Sequence, residues 1–151
     1  MQNYRLYKKK YIEEFNIIDD LCVIKKSIFD SYCVTSLNTL INFFNEEYLW
    51  DKMFNIKDVE NRLKNKNILF ILEYKNTPIG YVWFKEIDKQ TCYGYNLYVT
   101  KKIFRPKNSA NWFYNKVSGI MLENYKLIEV EIEDWNNVVF DIVEKIGYEK
   151  Y

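Results

Sequence analysis

Residues 67 to 99 constrain the fold more than any other part of the chain. "NILFILEY", "IGYVWFKEI" and "CYGYNLYV" are rich in β-branched and aromatic residues, and only the short turns "KNTP" and "DKQ" separate them. Such a run predicts three consecutive strands joined as an antiparallel meander. Ahead of it, "YRLYKKKYI" alternates and predicts a first strand. Apolar positions recurring at three and four predict helices over Phe15 to Phe29 and Leu37 to Leu49, with a third short helix from Ile56 to Lys64.

The segment after the meander changes period. Ala110, Phe113, Val117, Ile120 and Met121 sit at helical spacing, "KLIEVEIED" alternates with period two as a strand, and "NVVFDIVEKI" is helical again. Gly147 ends that helix as a C′ glycine does, and Tyr148 to Tyr151 leave room for a final short strand. The order is β, helices, β-β-β, α, β, α, a mixed α+β layout with a crossover in its second half. With no repeat and no low-complexity linker, residues 1–151 read as a single domain.

Composition narrows the chemistry. Lys and Arg number 22 against 21 acids, so no net field points to nucleic acid or to an anionic membrane surface. No apolar run approaches the roughly 20 residues of a membrane span, and the first residues lack a secretory pattern, so the protein reads as cytoplasmic. Three cysteines at scattered positions (Cys22, Cys33, Cys92) suit reduced thiols rather than a disulfide framework. The chain has no histidine, which excludes histidine-dependent triads and histidine-ligated zinc.

Between the meander and the next helix stands "FRPKNSANWFY", residues 104 to 114. A helix start exposes unpaired N–H groups and the positive end of the macrodipole, so amides wrapped around it bind phosphate. Arg105 and Lys107 would add positive charge, and Ser109 and Ala110 are small enough for close approach. Asn108 either adopts the positive φ that a phosphate-cradling nest requires or caps the helix with its side chain.

Arg105 to Ala110 resembles the Q/R-x-x-G-x-G/A pyrophosphate loop of the Gcn5-related N-acetyltransferases, the GNAT superfamily, with Asn108 in place of the first glycine and Ala110 at the second. "IEVEIEDWNNVVFDIVEKIGYEKY" resembles that family's closing segment, with Ile132, Asn136, Lys145, Gly147 and Tyr148 at its marked places. The resemblance covers Ile68 to Tyr148 and implies a central, mostly antiparallel twisted sheet flanked by helices, whose fourth and fifth strands ("CYGYNLYV" and "KLIEVEIED" here) are splayed. It implies acetyl-CoA as co-substrate, its pantetheine arm on main-chain groups of Leu97, Tyr98 and Val99, its pyrophosphate on the amides of Lys107 to Ala110. Asn136 would sit beside the arm or cap its own helix.

The implied activity is transfer of an acetyl group from acetyl-CoA to a primary amine of a small molecule or protein. On "LIEVEIED", Glu129, Glu131 and Glu133 share one face, which would attract a cationic acceptor or simply be a solvated strand face. Glu131 lies five residues before Asn136, where the ribosomal-protein alanine acetyltransferases of the superfamily carry their general base. The family's tyrosine acid, four residues before the glycine, is Val143 here, which leaves Tyr148, Tyr98 or Tyr95 as substitutes and Tyr148 as the catalytic candidate. Without that acid, the alternative is a catalytically inactive GNAT-fold module that binds CoA or a protein. Little sequence follows Tyr148 for the usual last strand, so that strand is very short or a partner chain completes the edge, which would make a homodimer.

Overall fold

The computed structural model describes residues 1–13, 21–27, 31–47, 57, 61 and 67–151. Its strands are β1 (Gln2–Tyr7), β2 (Cys22–Ser27), β3 (Asn67–Tyr74), β4 (Thr77–Glu86), β5 (Thr91–Val99), β6 (Leu127–Ile132) and β7 (Glu149–Lys150). Its helices are α1 (Ser31–Glu47), α2 (Ser109–Leu122) and α3 (Asn137–Lys145). The strands form one sheet in the order β2-β3-β4-β5-β6-β1-β7. β5 and β6 run parallel, joined by the crossover through α2, and the other neighbours are antiparallel.

The meander forms as its turns dictate. Lys75 and Asn76, at φ 50 and 63, make a two-residue hairpin between β3 and β4. Positive φ at both positions matches the twist of the flanking strands. Between β4 and β5, Asp88 Oδ1 accepts from the amides of Gln90 and Thr91 at 2.8 and 2.9 Å, an Asx-type turn that replaces backbone partners with a side chain.

"ILFIL" is continuously apolar because both faces of β3 are covered. Leu69 and Ile71 pack with Leu37, Leu40, Ile41 and Phe44 of α1. Phe70 and Leu72 belong to the opposite core, which holds Phe113 and Val117 of α2 and Ile142 and Val143 of α3. Each such fully buried side chain contributes about 1.5–3 kcal/mol of transfer free energy.

A bulge in β5 matters for everything that follows. Trp83 pairs with Tyr95 and Tyr81 with Tyr98, so β5 uses one residue more than β4 over this stretch. The surplus falls where Asn96 takes φ 59. Strand side chains alternate, so Tyr95 and Tyr98 would otherwise face opposite ways; the extra residue turns both toward α1 and Leu97 toward the other core.

Several expectations are corrected. Residues 22–27, expected within a helix from Phe15 to Phe29, are strand β2 on the outer edge of β3; ladder pairing with β3 overrides a local helical period. Residues 14–20 and 28–30 lie outside the described residues. The helix expected from Leu37 begins at Ser31 and is described to Glu47. The helix expected over Ile56 to Lys64 lies outside the described residues save Lys57 and Asn61. "YRLYKKKYI" is a strand only to Tyr7, after which Lys8–Lys10 make a 3-10 turn.

The slot beside β6 is filled by β1, in register from Gln2 opposite Ile132 to Tyr7 opposite Leu127, and the short β7 lies beyond it. The sheet ends there in β7, two residues long, the very short last strand that the sequence allowed. α3 ends as anticipated: Gly147 at φ 102 lets the Tyr148 amide reach Val143 O at 2.9 Å and its own amide reach Glu144 O at 3.2 Å, a Schellman closure. Among the described residues no helix is long and apolar enough to cross a membrane.

Candidate active site

The parallel ladder between β5 and β6 is short. It runs from Thr91 opposite Leu127 to Gly94 opposite Val130 and stops there, although β5 continues to Val99 and β6 to Ile132. Beyond that point β5 and β6 no longer pair with each other, and a cavity of about 640 Å³ opens. Its wall includes Leu97 of β5, Glu131 and Ile132 of β6, Glu133, and Asn136 and Val139 at the start of α3. The α1 side contributes Phe44, Trp83, Tyr93 and Tyr95.

Glu131 is exposed at this wall. Glu129 stands opposite Arg5 of β1, and Glu133 lies beyond the end of β6, so the three glutamates do not form one uniform acidic strand face. Asn136 caps α3, its side chain accepting from the Val139 amide at 3.3 Å. It is at the same time part of the cavity wall.

A second cavity of about 350 Å³ lies between the start of α2 and the other flank of α3. Arg105, Lys107, Asn108, Ser109 and Ala110 line it on one side, Val138, Asp141 and Lys145 on the other. α3 therefore separates the two cavities, with Val139 on one and its neighbour Val138 on the other. Asn108 takes φ 63 and ψ 14, left-handed, and makes no side-chain cap. Of its two sequence options it adopts the nest conformation.

The amides at this helix start divide. Ser109 donates to Pro106 O at 3.2 Å and Trp112 to Asn108 O at 3.0 Å. Among the described residues the amides of Lys107, Asn108, Ala110 and Asn111 have no protein acceptor. The Ser109 hydroxyl, buried at 4% exposure, also lacks a partner. Open amides, an orphaned buried hydroxyl and the charges of Arg105 and Lys107 fit a bound phosphate group. Arg105 also anchors the loop, since its Nη1 donates to Val99 O at 2.9 Å and ties the turn to the end of β5.

The tyrosines separate. Tyr148 is 4% exposed, outside both cavities, with its hydroxyl 2.8 Å from Ser118 Oγ. Burial first, and then the neighbouring Tyr114, pushes its pKa well above 10.0. Tyr148 as the catalytic residue is therefore corrected: the Schellman closure turns its side chain into the core against α2. Tyr98 is buried too, its hydroxyl donating to Glu47 Oε2 at 2.7 Å and lying 2.9 Å from Thr100 Oγ1. Tyr95 lines the larger cavity but donates to Asn67 Oδ1 at 2.6 Å. Val143 is fully buried.

Sequence reasoning missed Tyr93, which lines the cavity and whose pKa is raised by burial and then by the charge of Glu131. It also passed over Trp135, which is 45% exposed at the cavity. A tryptophan in the polar turn "EDWNN" was the available signal, since such a turn has no local use for it.

No protein-family model and no curated protein matches the sequence. Solved structures do. An acetyltransferase from Streptococcus agalactiae superposes with TM-score 0.66 at 18% identity, over 87% of this chain and 85% of that one. A protein from Clostridium acetobutylicum described as a predicted acetyltransferase with acetyl-CoA gives 0.62 at 15% identity, over 86% and 91%. A conserved protein of unknown function from Staphylococcus epidermidis gives 0.65 at 11% identity, covering 99% of this chain, which spans 57% of that longer one. The chain shares their fold, a mixed sheet with flanking helices.

Proposed function

We propose, for a chain with the fold of the Gcn5-related N-acetyltransferases, that the protein moves an acetyl group from acetyl-CoA to a primary amine. The observation that carries this reading is the end of the parallel ladder at Gly94 and Val130, with Glu131, Leu97 and Asn136 around the resulting cavity. The pyrophosphate would rest on the open amides of Lys107, Asn108, Ala110 and Asn111, with Lys107 and the Ser109 hydroxyl beside it. The arm would follow α3 toward the larger cavity, using main-chain groups of Leu97, Tyr98 and Val99 where β5 runs on past its ladder with β6. One lone pair of the Val99 carbonyl already serves Arg105.

In this reading Glu131 takes the proton from the acceptor ammonium, and the free amine attacks the thioester carbonyl. A main-chain amide near Tyr98 donates to the developing oxyanion. The intermediate's nitrogen gives up its second proton to solvent, the C–S bond breaks and the thiolate leaves, its pKa near the ~8.5 of an ordinary thiol making a dedicated acid dispensable. The buried Val143 and the core position of Tyr148 favour one second reading, a module that binds CoA without turnover. The test is release of free CoA thiol from acetyl-CoA in the presence of amines, run beside acetyl-CoA binding. Binding with amine-dependent release supports the enzyme, binding alone the module, and absence of binding defeats both.

A further inference from the structure

The larger cavity carries a specific chemistry in its walls. The half-buried rings of Tyr93 and Tyr95 stand with centroids 5.7 Å apart, and the buried Trp83 backs Tyr95 edge-on at 5.4 Å. Ordinary strand alternation places these rings together: Tyr93 and Tyr95 are two residues apart on β5, and Trp83 is the register partner of Tyr95. At the mouth, Ile87 is 55% exposed and Trp135 45% exposed, an apolar rim in a position where solvent alone would favour polar residues.

Among the described residues the charged side chains lining the cavity are Glu131, Glu133 and Lys85, and Met1, whose α-ammonium is paired with Asp134 at 3.2 Å, lines it too. Glu131 lies where the sheet opens, while Lys85 pairs in register with Tyr93 on the aromatic wall. One cation is therefore attracted to the carboxylate end, and a second one further along the same molecule would approach Lys85. The volume of about 640 Å³ falls within the range of small-molecule sites, roughly 300–1,000 Å³.

We propose that the acceptor is a small primary amine carrying a single positive charge on an aromatic or otherwise apolar body, its ring against Tyr93 and Tyr95 and its ammonium at Glu131 and Glu133. This rests on the reading of the protein as an N-acetyltransferase and deepens it by naming the substrate class. Ring stacking and cation–π attraction to the tyrosines and Trp135 add to the ion pairing for such a molecule. A polyhydroxylated or polycationic amine forfeits the first and meets Lys85.

Calorimetric binding to the intact protein, with CoA present, of 2-phenylethylamine, its uncharged counterpart 2-phenylethanol, the polycation spermidine and a trialanine peptide tests this. 2-Phenylethylamine should bind at least about tenfold more tightly than each of the others. Tyr93→Ala should reduce its affinity several-fold, and Tyr93→Leu, which preserves bulk, should show the same loss if the smaller residue compromises folding. Equal or tighter binding of spermidine or the peptide overturns the proposal. So does no binding of 2-phenylethylamine, or binding insensitive to both Tyr93 variants. Acetyl-CoA binding and thiol release, followed in the same samples, keep the two claims apart: release with a different amine preference defeats the acceptor class alone, whereas no acetyl-CoA binding defeats the enzymatic reading.

Discussion

Gly94 of β5 and Val130 of β6 are the last aligned partners of the parallel ladder, and Glu131, one residue beyond, faces the cavity that opens there. Partners and wall are thus set by one event: where two parallel strands stop exchanging hydrogen bonds. Glu131→Gln keeps the side chain's shape and removes its basicity. Turnover with a saturating amine should fall by about 10²-fold or more, with acetyl-CoA affinity nearly unchanged. Steady-state kinetics beside calorimetric acetyl-CoA binding reads this directly, and near-normal turnover would return Glu131 to the role of a solvated surface charge.

Asn108 holds a left-handed conformation that glycine adopts without strain. Asn108→Gly should retain acetyl-CoA binding, whereas Asn108→Glu places a carboxylate among amides that await an anion and should abolish it. At about 100 times the dissociation constant, the co-substrate should stabilise the wild-type chain by about 2.7 kcal/mol, readable as a rise in Tm. No rise for the wild type at millimolar acetyl-CoA would remove the phosphate assignment.

Tyr148 lies in the core against Ser118. Tyr148→Phe should leave kcat and its pH profile unchanged while costing about 1–2 kcal/mol, because the Ser118 hydroxyl loses its buried partner. The wild-type kcat profile should show no falling limb below about pH 9.5, where a tyrosine acid would begin to ionise. A falling limb that Tyr148→Phe abolishes would restore Tyr148 to catalysis. One that Tyr93→Phe abolishes would identify Tyr93 as the acid.

Stability should decline at alkaline pH through groups the fold holds protonated. The Tyr4 hydroxyl donates to Glu144 Oε1 at 2.6 Å, and that hydrogen bond, with burial and the Glu144 charge, raises its pKa to about 12. Burial raises the Cys92 thiol from 9.0 to about 12. In both cases the folded pKa exceeds the unfolded one, so the folded state binds more protons at alkaline pH. The contribution is complete below the unfolded values and is lost as pH rises to about 12. Urea midpoints should fall from pH 9 upward, and the difference between wild type and Tyr4→Phe should be largest near pH 8 and shrink by pH 12.

Much of the fold was legible in the sequence, because the signals are local. The meander is written in two short turns and three β-rich runs, the end of α3 in Gly147, and the strand β6 in a strict period of two. The helix start at Asn108 and the cap at Asn136 were legible as positions, though each left two roles open. The structure separates these roles: Asn108 is left-handed without capping, and Asn136 caps while lining the cavity.

Tertiary structure alone decided the rest, for reasons of distance along the chain. Residues 22–27 carry apolar positions at helical spacing, and only the exposed edge of β3, some fifty residues later, makes them a strand. β1 sits beside β6 because a slot stands open there, a fact that no period within residues 2–7 encodes. The tyrosines show the same division most sharply: all look alike in sequence, yet a Schellman turn sends Tyr148 into the core and a one-residue bulge holds Tyr95 and Tyr98 on one face. Local sequence sets the backbone's small menu of conformations, whereas the direction of a side chain relative to a distant neighbour depends on register and packing, which exist only once the chain has closed on itself.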